Sequence, residues 1–203
     1  MKRKIAKSLA LTLMGATLLA TGAAYADYGK IHIFTGSNTN APSFQYWVDS
    51  SVSTYGYTDH VRNAAVQWSA VSSSNANLWQ ITDPASAQIK YYVTQKELPS
   101  GVGGATDYWM RNGSQVAWTS VRDGSNFNLA RVRIDDGNMD AQNVANAVRY
   151  KTTGHETGHA LCLDEFNLVV GSSAHTGSHW MMQGQIPLQY PTTLDADHLS
   201  QKY

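Results

Sequence analysis

Apolar and polar residues alternate with a two-residue period in three stretches of this chain, the pattern of a strand with one buried face. In "KIHIF" Ile31 and Ile33 share a face; in "AQIKYYVT" Ile89, Tyr91 and Val93 do; in "ARVRID" Val132 and Ile134 do, with Arg131 and Arg133 opposite. These segments are expected to be strands of one sheet, with "QVAWTS" at 115 to 120 a shorter addition. A period near 3.6 appears elsewhere. In "TDHVRNAAVQWSAV" the positions Val61, Ala64, Ala65, Trp68 and Val71 form one stripe, and Thr58 or Asp59 is the expected N-cap. A second helical stripe runs from about Asp140 to Leu163 through Val144, Ala147, Val148, His155, His159 and Cys162. A shorter helix is expected in "TTLDADHLSQKY", capped by Thr193. The pieces between, "TGSNTNAP", "SGVGG", "RDGSNFN" and "GSSAHTGS", are rich in Gly, Ser and Asn and read as loops within one domain. The order strand, helix, strands, helix predicts an α+β or mixed α/β domain.

The first 26 residues change where that domain is expected to begin. Lys2, Arg3, Lys4 and Lys7 precede a mostly apolar run from Ser8 to Ala20, and Ala24, Tyr25 and Ala26 form a small-x-small site. This is the layout of a secretory signal cleaved before Asp27, and the run is shorter than the roughly 20 apolar residues that span a bilayer. Residues 27 to 203 then form the expected mature domain, secreted and extracellular. It would carry 11 basic and 15 acidic residues, a formal charge of −4. An acidic chain without basic clusters argues against nucleic acid as the main partner, and against a membrane once the signal is removed. Cys162 is the only cysteine, so no intramolecular disulfide and no paired-cysteine zinc site can form.

Chemistry concentrates in "HETGHALCLDEF", residues 155 to 166, which holds two of the seven histidines and two of the three glutamates. Residues four apart on a helix project from one side, so His155 and His159 can offer imidazole nitrogens to one ion. Glu156 lies about 100° around the helix, where it can reach a water without ligating the metal. Zinc in such a site polarises a carbonyl and lowers the pKa of water toward about 7, while the carboxylate takes the proton. The bland alternative is a solvated helix with two surface histidines. It is weakened because both continue the apolar stripe of Val144 and Val148. Catalysis needs an open coordination position, so one further protein ligand is wanted. No glutamate follows Glu165, which excludes a glutamate from a later helix. Asp164 and Glu165 are the local candidates; His175, His179, Asp195, Asp197 and His198 are distant ones. A ligand ten residues beyond His155 requires the helix to end first, since a straight helix would carry it about 15 Å along the axis.

On these residues the chain resembles the metzincin zinc peptidases, in particular the small bacterial matrixin-like or snapalysin-like members, whose motif is HExxHxxGxxH, or Asp last, followed by a methionine turn. "HALCLDE" is similar to the family's "HALGLDH", "HWMMQG" to its methionine turn with Met182 the better fit and Met181 the second, and "TTLDADHL" to the start of its last helix. The resemblance implies a zincin-like single domain of α+β class, with a twisted mixed sheet, a metal-binding helix and a methionine turn. It implies one catalytic Zn2+ held by His155, His159 and Glu165, with Glu156 as general base. Two departures stand out. Cys162 occupies the place of the glycine that lets the helix break, and Glu165 replaces the last His or Asp, although carboxylate oxygen is an acceptable zinc ligand.

The resulting expectation is a secreted, monomeric zinc endopeptidase acting on a protein or peptide substrate. The alternative is an exported, metal-stabilised binding or toxin-like module without turnover, which those two departures keep open. Cys162 is expected to be an inert packed thiol rather than a ligand. The six Trp and eleven Tyr are expected in the core and cleft, and the glycines of "SGVGGATDYW" would let an extended peptide approach a sheet edge. "RDGSNFN" and "DDGNMD" are candidate Ca2+ loops, although neither has a full acidic calcium-loop spacing.

Overall fold

The computed structural model describes residues 32 to 166, 175 and 177 to 203. The expected signal segment, Ile31 and most of "GSSAHTGS" lie outside the described residues. Six strands form one mixed sheet: β1 Ser43–Val48, β2 Asn77–Gln80, β3 Ile89–Thr94, β4 Gly104–Trp109, β5 Gln115–Val116 and β6 Leu129–Asp135. Their spatial order is β2-β1-β3-β6-β4-β5. The first four run parallel, whereas β4 is antiparallel to both β6 and β5. β3 and β6 fall where the alternation places them, with Ile89, Tyr91, Val132 and Ile134 buried.

Three strands were not expected, and "KIHIF" is not the strand its pattern suggested. In its described part Ile33 makes only an isolated antiparallel bridge to Leu163. "QVAWTS" divides into β5 and the short helix α3 Trp118–Arg122. α1 is another short helix, Ser50–Thr54, and α2 Thr58–Ser69 matches the predicted amphipathic helix. Its N-cap position is Tyr57, which makes no side-chain cap, rather than Thr58 or Asp59. The predicted single helix from Asp140 to Leu163 is two, α4 Asp136–Ala141 and α5 Asn146–Ala160. Asn143 separates them with φ 52°, a left-handed conformation that asparagine tolerates better than most residues. α6 Thr193–Lys202 starts one residue after the true cap, Thr192, which forms a reciprocal capping box with Asp195.

α2 and α5 pack on each other, and α5 lies against β4 and β6. Indole Nε1 of Trp68 in α2 donates to the Gly154 carbonyl in α5 at 2.8 Å. Glycine at 154 and 158 lets Trp180 and Met181 approach the helix: a Cβ at Gly158 would lie 2.3 Å from Met181 Sδ. The buried apolar residues form one cluster that includes Phe44, Trp68, Tyr91, Met181 and Leu199. No helix among the described residues is long and apolar enough to cross a membrane.

Candidate metal centre

The end of α5 creates the site. Leu161 is the C-cap and Cys162 follows with φ 65°, the left-handed turn that glycine adopts most easily. Cys162 N donates to His159 O at 2.9 Å and Leu163 N to Gly158 O at 3.0 Å, the paired bonds of a Schellman ending. Cysteine therefore takes the glycine's conformation despite its Cβ. The reversed chain is held by Phe34 N on Cys162 O and Asp164 N on His32 O, both at 2.8 Å. This returns Glu165 to the histidine face.

Glu165 Oε1 lies 3.2 Å from Nε2 of both His155 and His159, and those two nitrogens are 3.1 Å apart. All three residues are buried. Nδ1 of His155 donates to the Trp180 carbonyl at 2.7 Å, and Nδ1 of His159 donates to the Leu163 carbonyl at 2.8 Å. A carbonyl can only accept, so each neutral ring carries its proton on Nδ1 and turns a bare Nε2 toward the other. Two imidazole lone pairs and one carboxylate oxygen thus converge in a buried triangle, an arrangement that only a shared cation or proton can stabilise. Metal-ligating histidines characteristically donate their second nitrogen to such a fixed acceptor. Zinc bonds of about 2.0–2.1 Å at tetrahedral angles separate donor atoms by about 3.3–3.4 Å, close to the observed edges. The donor set and its spacing fit zinc.

Charge follows the same geometry. Burial would raise the Glu165 carboxyl, but the two imidazoles outweigh it and hold the group well below the usual carboxylate range. Burial would likewise lower His159, yet the Glu165 carboxylate prevails and pushes it up to about 9. Gln183 Nε2 donates to Glu165 Oε1 at 3.0 Å, while the buried Oε2 has no hydrogen-bond partner among the described residues.

Glu156 points from the same helix into a cleft of about 380 Å3 that all three trio residues also line. Thr106 Oγ1, on β4, lies 2.9 Å from Glu156 Oε2 and 2.9 Å from its carbonyl oxygen. A Cβ at Gly104 would come within 2.7 Å of Glu156 Cγ, so this glycine is what admits the side chain. β5 pairs only with Tyr108 and Trp109 of β4, leaving Gly104 to Asp107 without a strand on that side among the described residues. Gly103, Gly104 and Thr106 border the cleft.

The other candidate ligands are placed elsewhere. Among the described residues, His155, His159 and Glu165 are the one group whose donor atoms converge. Asp164 accepts from Glu165 N at 2.7 Å, and burial pushes its carboxyl up. His179 bonds Thr192 Oγ1, His198 bonds the Leu194 carbonyl, and the His175 ring packs tilted on His32 and edge-on to His198. Asp197 is exposed. Asp195 caps α6 and accepts Trp180 N and Met181 N at 2.9 and 3.0 Å. Cys162 is fully buried beside Tyr203, and burial raises its thiol. Met181 is fully buried against Gly158, whereas Met182, the expected turn residue, is half-buried. In "DDGNMD" the acids are otherwise engaged: Asp135 accepts four backbone N–H groups, and Asp136 and Asp140 pair with Arg149.

Two supporting groups escaped the sequence reading. Lys151 is buried, donates to the Met182 carbonyl and lies 3.4 Å from His155 Nδ1; burial lowers its ammonium to about 8. Its position four residues before His155 was a usable signal. The Asp195 contacts, which fix the segment whose carbonyl orients His155, had no local signal. A scan of the chain against protein-family models gives no match, and a search of curated proteins gives none either.

Proposed function

We infer that the protein is a zinc-dependent endopeptidase of zincin-like architecture, exported and acting on protein or peptide substrates. The observation that carries this reading is the buried triangle of His155, His159 and Glu165 donors, with Glu156 beside it in a cleft bordered by an open strand edge. His155, His159 and Glu165 would hold the ion. When bound, zinc supplies Lewis-acid polarisation of the scissile carbonyl and acidifies a water.

The chain's own residues supply the rest. The free edge of β4 can pair with an extended peptide through backbone hydrogen bonds, and Gly103 and Gly104 let that backbone approach closely. The Thr106 hydroxyl engages Glu156 Oε2, which orients the carboxylate and leaves Oε1 to accept a proton from the attacking water. Glu156 then delivers that proton to the departing amine, so that each turnover returns it to the carboxylate form. Trp180 and Leu163 carbonyls keep both imidazoles in one tautomer throughout.

Cleavage of an unstructured protein by the purified zinc-loaded chain, beside Glu156→Gln, tests the reading. The parent should cut, and the variant should keep its metal but lose activity by about 100-fold or more. Undiminished biological effect and metal content in Glu156→Gln would instead assign a metal-stabilised binding module.

A further inference from the structure

The face of the sheet opposite α2 and α5 has an excess of positive charge and of unmet hydrogen-bond donors. Lys90, Arg131 and Asp107 are register partners across β3, β6 and β4 and alternate with the buried residues of those strands. Like charges side by side on neighbouring strands repel one another, and Lys90 and Arg131 are so placed. Asp107 serves two cations at once, Arg133 at 2.8 Å and Arg131 at 3.7 Å. Lys90 makes no ion pair among the described residues. Asp83, whose charge reaches Lys90, is exposed and already bonded to Ser86 and Ala85.

Donors here also outnumber acceptors. Nε of Arg131, Nε of Arg133 and Nε1 of Trp109 are buried without hydrogen-bond partners among the described residues. Each such group costs the fold a desolvation penalty. The Arg131 guanidinium is stacked 3.9 Å from the Trp109 ring centre, which fixes both groups at the wall of a pocket of about 510 Å3. Lys90, Arg111, Arg131, Tyr92 and Trp109 line that pocket, and no acidic residue does.

We propose that this pocket binds an anionic polysaccharide, with carboxylates of the glycan on Lys90, Arg111 and Arg131 and a sugar ring against Trp109 and Tyr92. Carboxylate oxygens pair with the Lys90 ammonium and with the guanidinium groups of Arg111 and Arg131, and flat aromatic walls suit a pyranose face. A nucleic acid offers similar contacts but carries charge at every step. The chain has 15 basic and 15 acidic residues, so gathering cations here leaves the remainder net acidic and repels a dense polyanion beyond the pocket. A sparsely carboxylated glycan meets no such barrier. The site is on the face away from the metal cleft, so a bound glycan would tether the protein without blocking that cleft, and the inference stands independently of the peptidase reading.

The test is binding of a fluorescent hyaluronan oligosaccharide, which carries a carboxylate only on alternate sugars, to the full chain, beside the same glycan with its carboxylates reduced to alcohols and a single-stranded oligothymidylate. The parent should bind the carboxylated glycan, and bind it more weakly as salt is raised. Lys90→Gln, which leaves the Asp107 pairs intact, should weaken binding about tenfold with an unchanged melting temperature. Trp109→Leu, which removes the flat ring, should weaken it several-fold. No binding by the parent, equal binding of the reduced glycan, or no effect of Lys90→Gln would overturn the proposal. Tighter binding of oligothymidylate with the same dependence on Lys90 would overturn the glycan and make nucleic acid the occupant.

Discussion

Protons should compete with the metal for this site over a defined pH window. In the metal-free protein burial favours neutral His159, but Glu165 at 3.2 Å, with Glu156 nearby, outweighs burial and pushes the imidazole up to about 9. At pH 7 the triangle therefore holds a proton that zinc must displace. The penalty is about two pH units, roughly 100-fold in affinity or about 3 kcal/mol. Affinity should rise about tenfold per pH unit between 7 and 9 and then level off. Competition with a chelator of known protonation constants, at fixed ionic strength, reads this slope directly. Calorimetry in buffers of different ionisation enthalpy should show about one proton released near pH 7.5. Glu165→Gln removes the charge that raises His159, so the slope in this window should disappear while affinity falls at every pH. The same shift acts on stability with a defined sign. The folded value of His159 lies above its ordinary 6.5, so its contribution is complete below about 6.5 and lost as pH rises through about 9 in the metal-free protein. A flat affinity between pH 7 and 9 with no proton release would refute the idea that a proton holds the empty triangle together.

Gly158→Ala drives a Cβ to 2.3 Å from Met181 Sδ and 3.0 Å from Trp68, and should lower stability by about 1–3 kcal/mol in a denaturant titration. Asp195→Ala strips acceptors from Trp180 N, Met181 N and Thr192 N and should cost roughly 3 kcal/mol or more. It should also weaken metal binding, because the freed segment carries the carbonyl that orients His155. Cys162→Gly relieves a left-handed residue but loses a buried thiol; the terms oppose, so the melting midpoint should change by less than about 1 kcal/mol in stability. Metal content should not change, and a loss would identify the thiol as a ligand.

What the chain displays locally was legible in it. β3 alternates from Ile89 to Val93, β6 from Leu129 to Ile134, and α2 has an uninterrupted apolar stripe, so pattern alone placed them. Only Gly104 of β4 falls in the expected loop "SGVGG", and the rest of the strand lacks a clear alternation; Gly103 and Gly104 are what let it border the cleft. In β1 the aromatic residues occupy both faces, Tyr46 inward and Trp47 outward, which erases the alternation. The helix break at Asn143 leaves no trace in the spacing because the whole apolar stripe, from Val144 onward, lies after it. The shared face of His155 and His159 was readable from their spacing, whereas Glu165 was one candidate among several until the left-handed turn at Cys162 placed its carboxylate beside them. Their supports were not readable, because Trp180 and Leu163 act through backbone carbonyls and Asp195 reaches Trp180 across 15 residues.

Zinc K-edge absorption on the stoichiometrically loaded protein tests the central claim most directly. One ion should show a shell of only nitrogen and oxygen at about 2.0–2.2 Å, including two imidazoles, and should lose one oxygen neighbour in Glu165→Ala. A sulfur neighbour at about 2.3 Å, or an unchanged shell in Glu165→Ala, would contradict it.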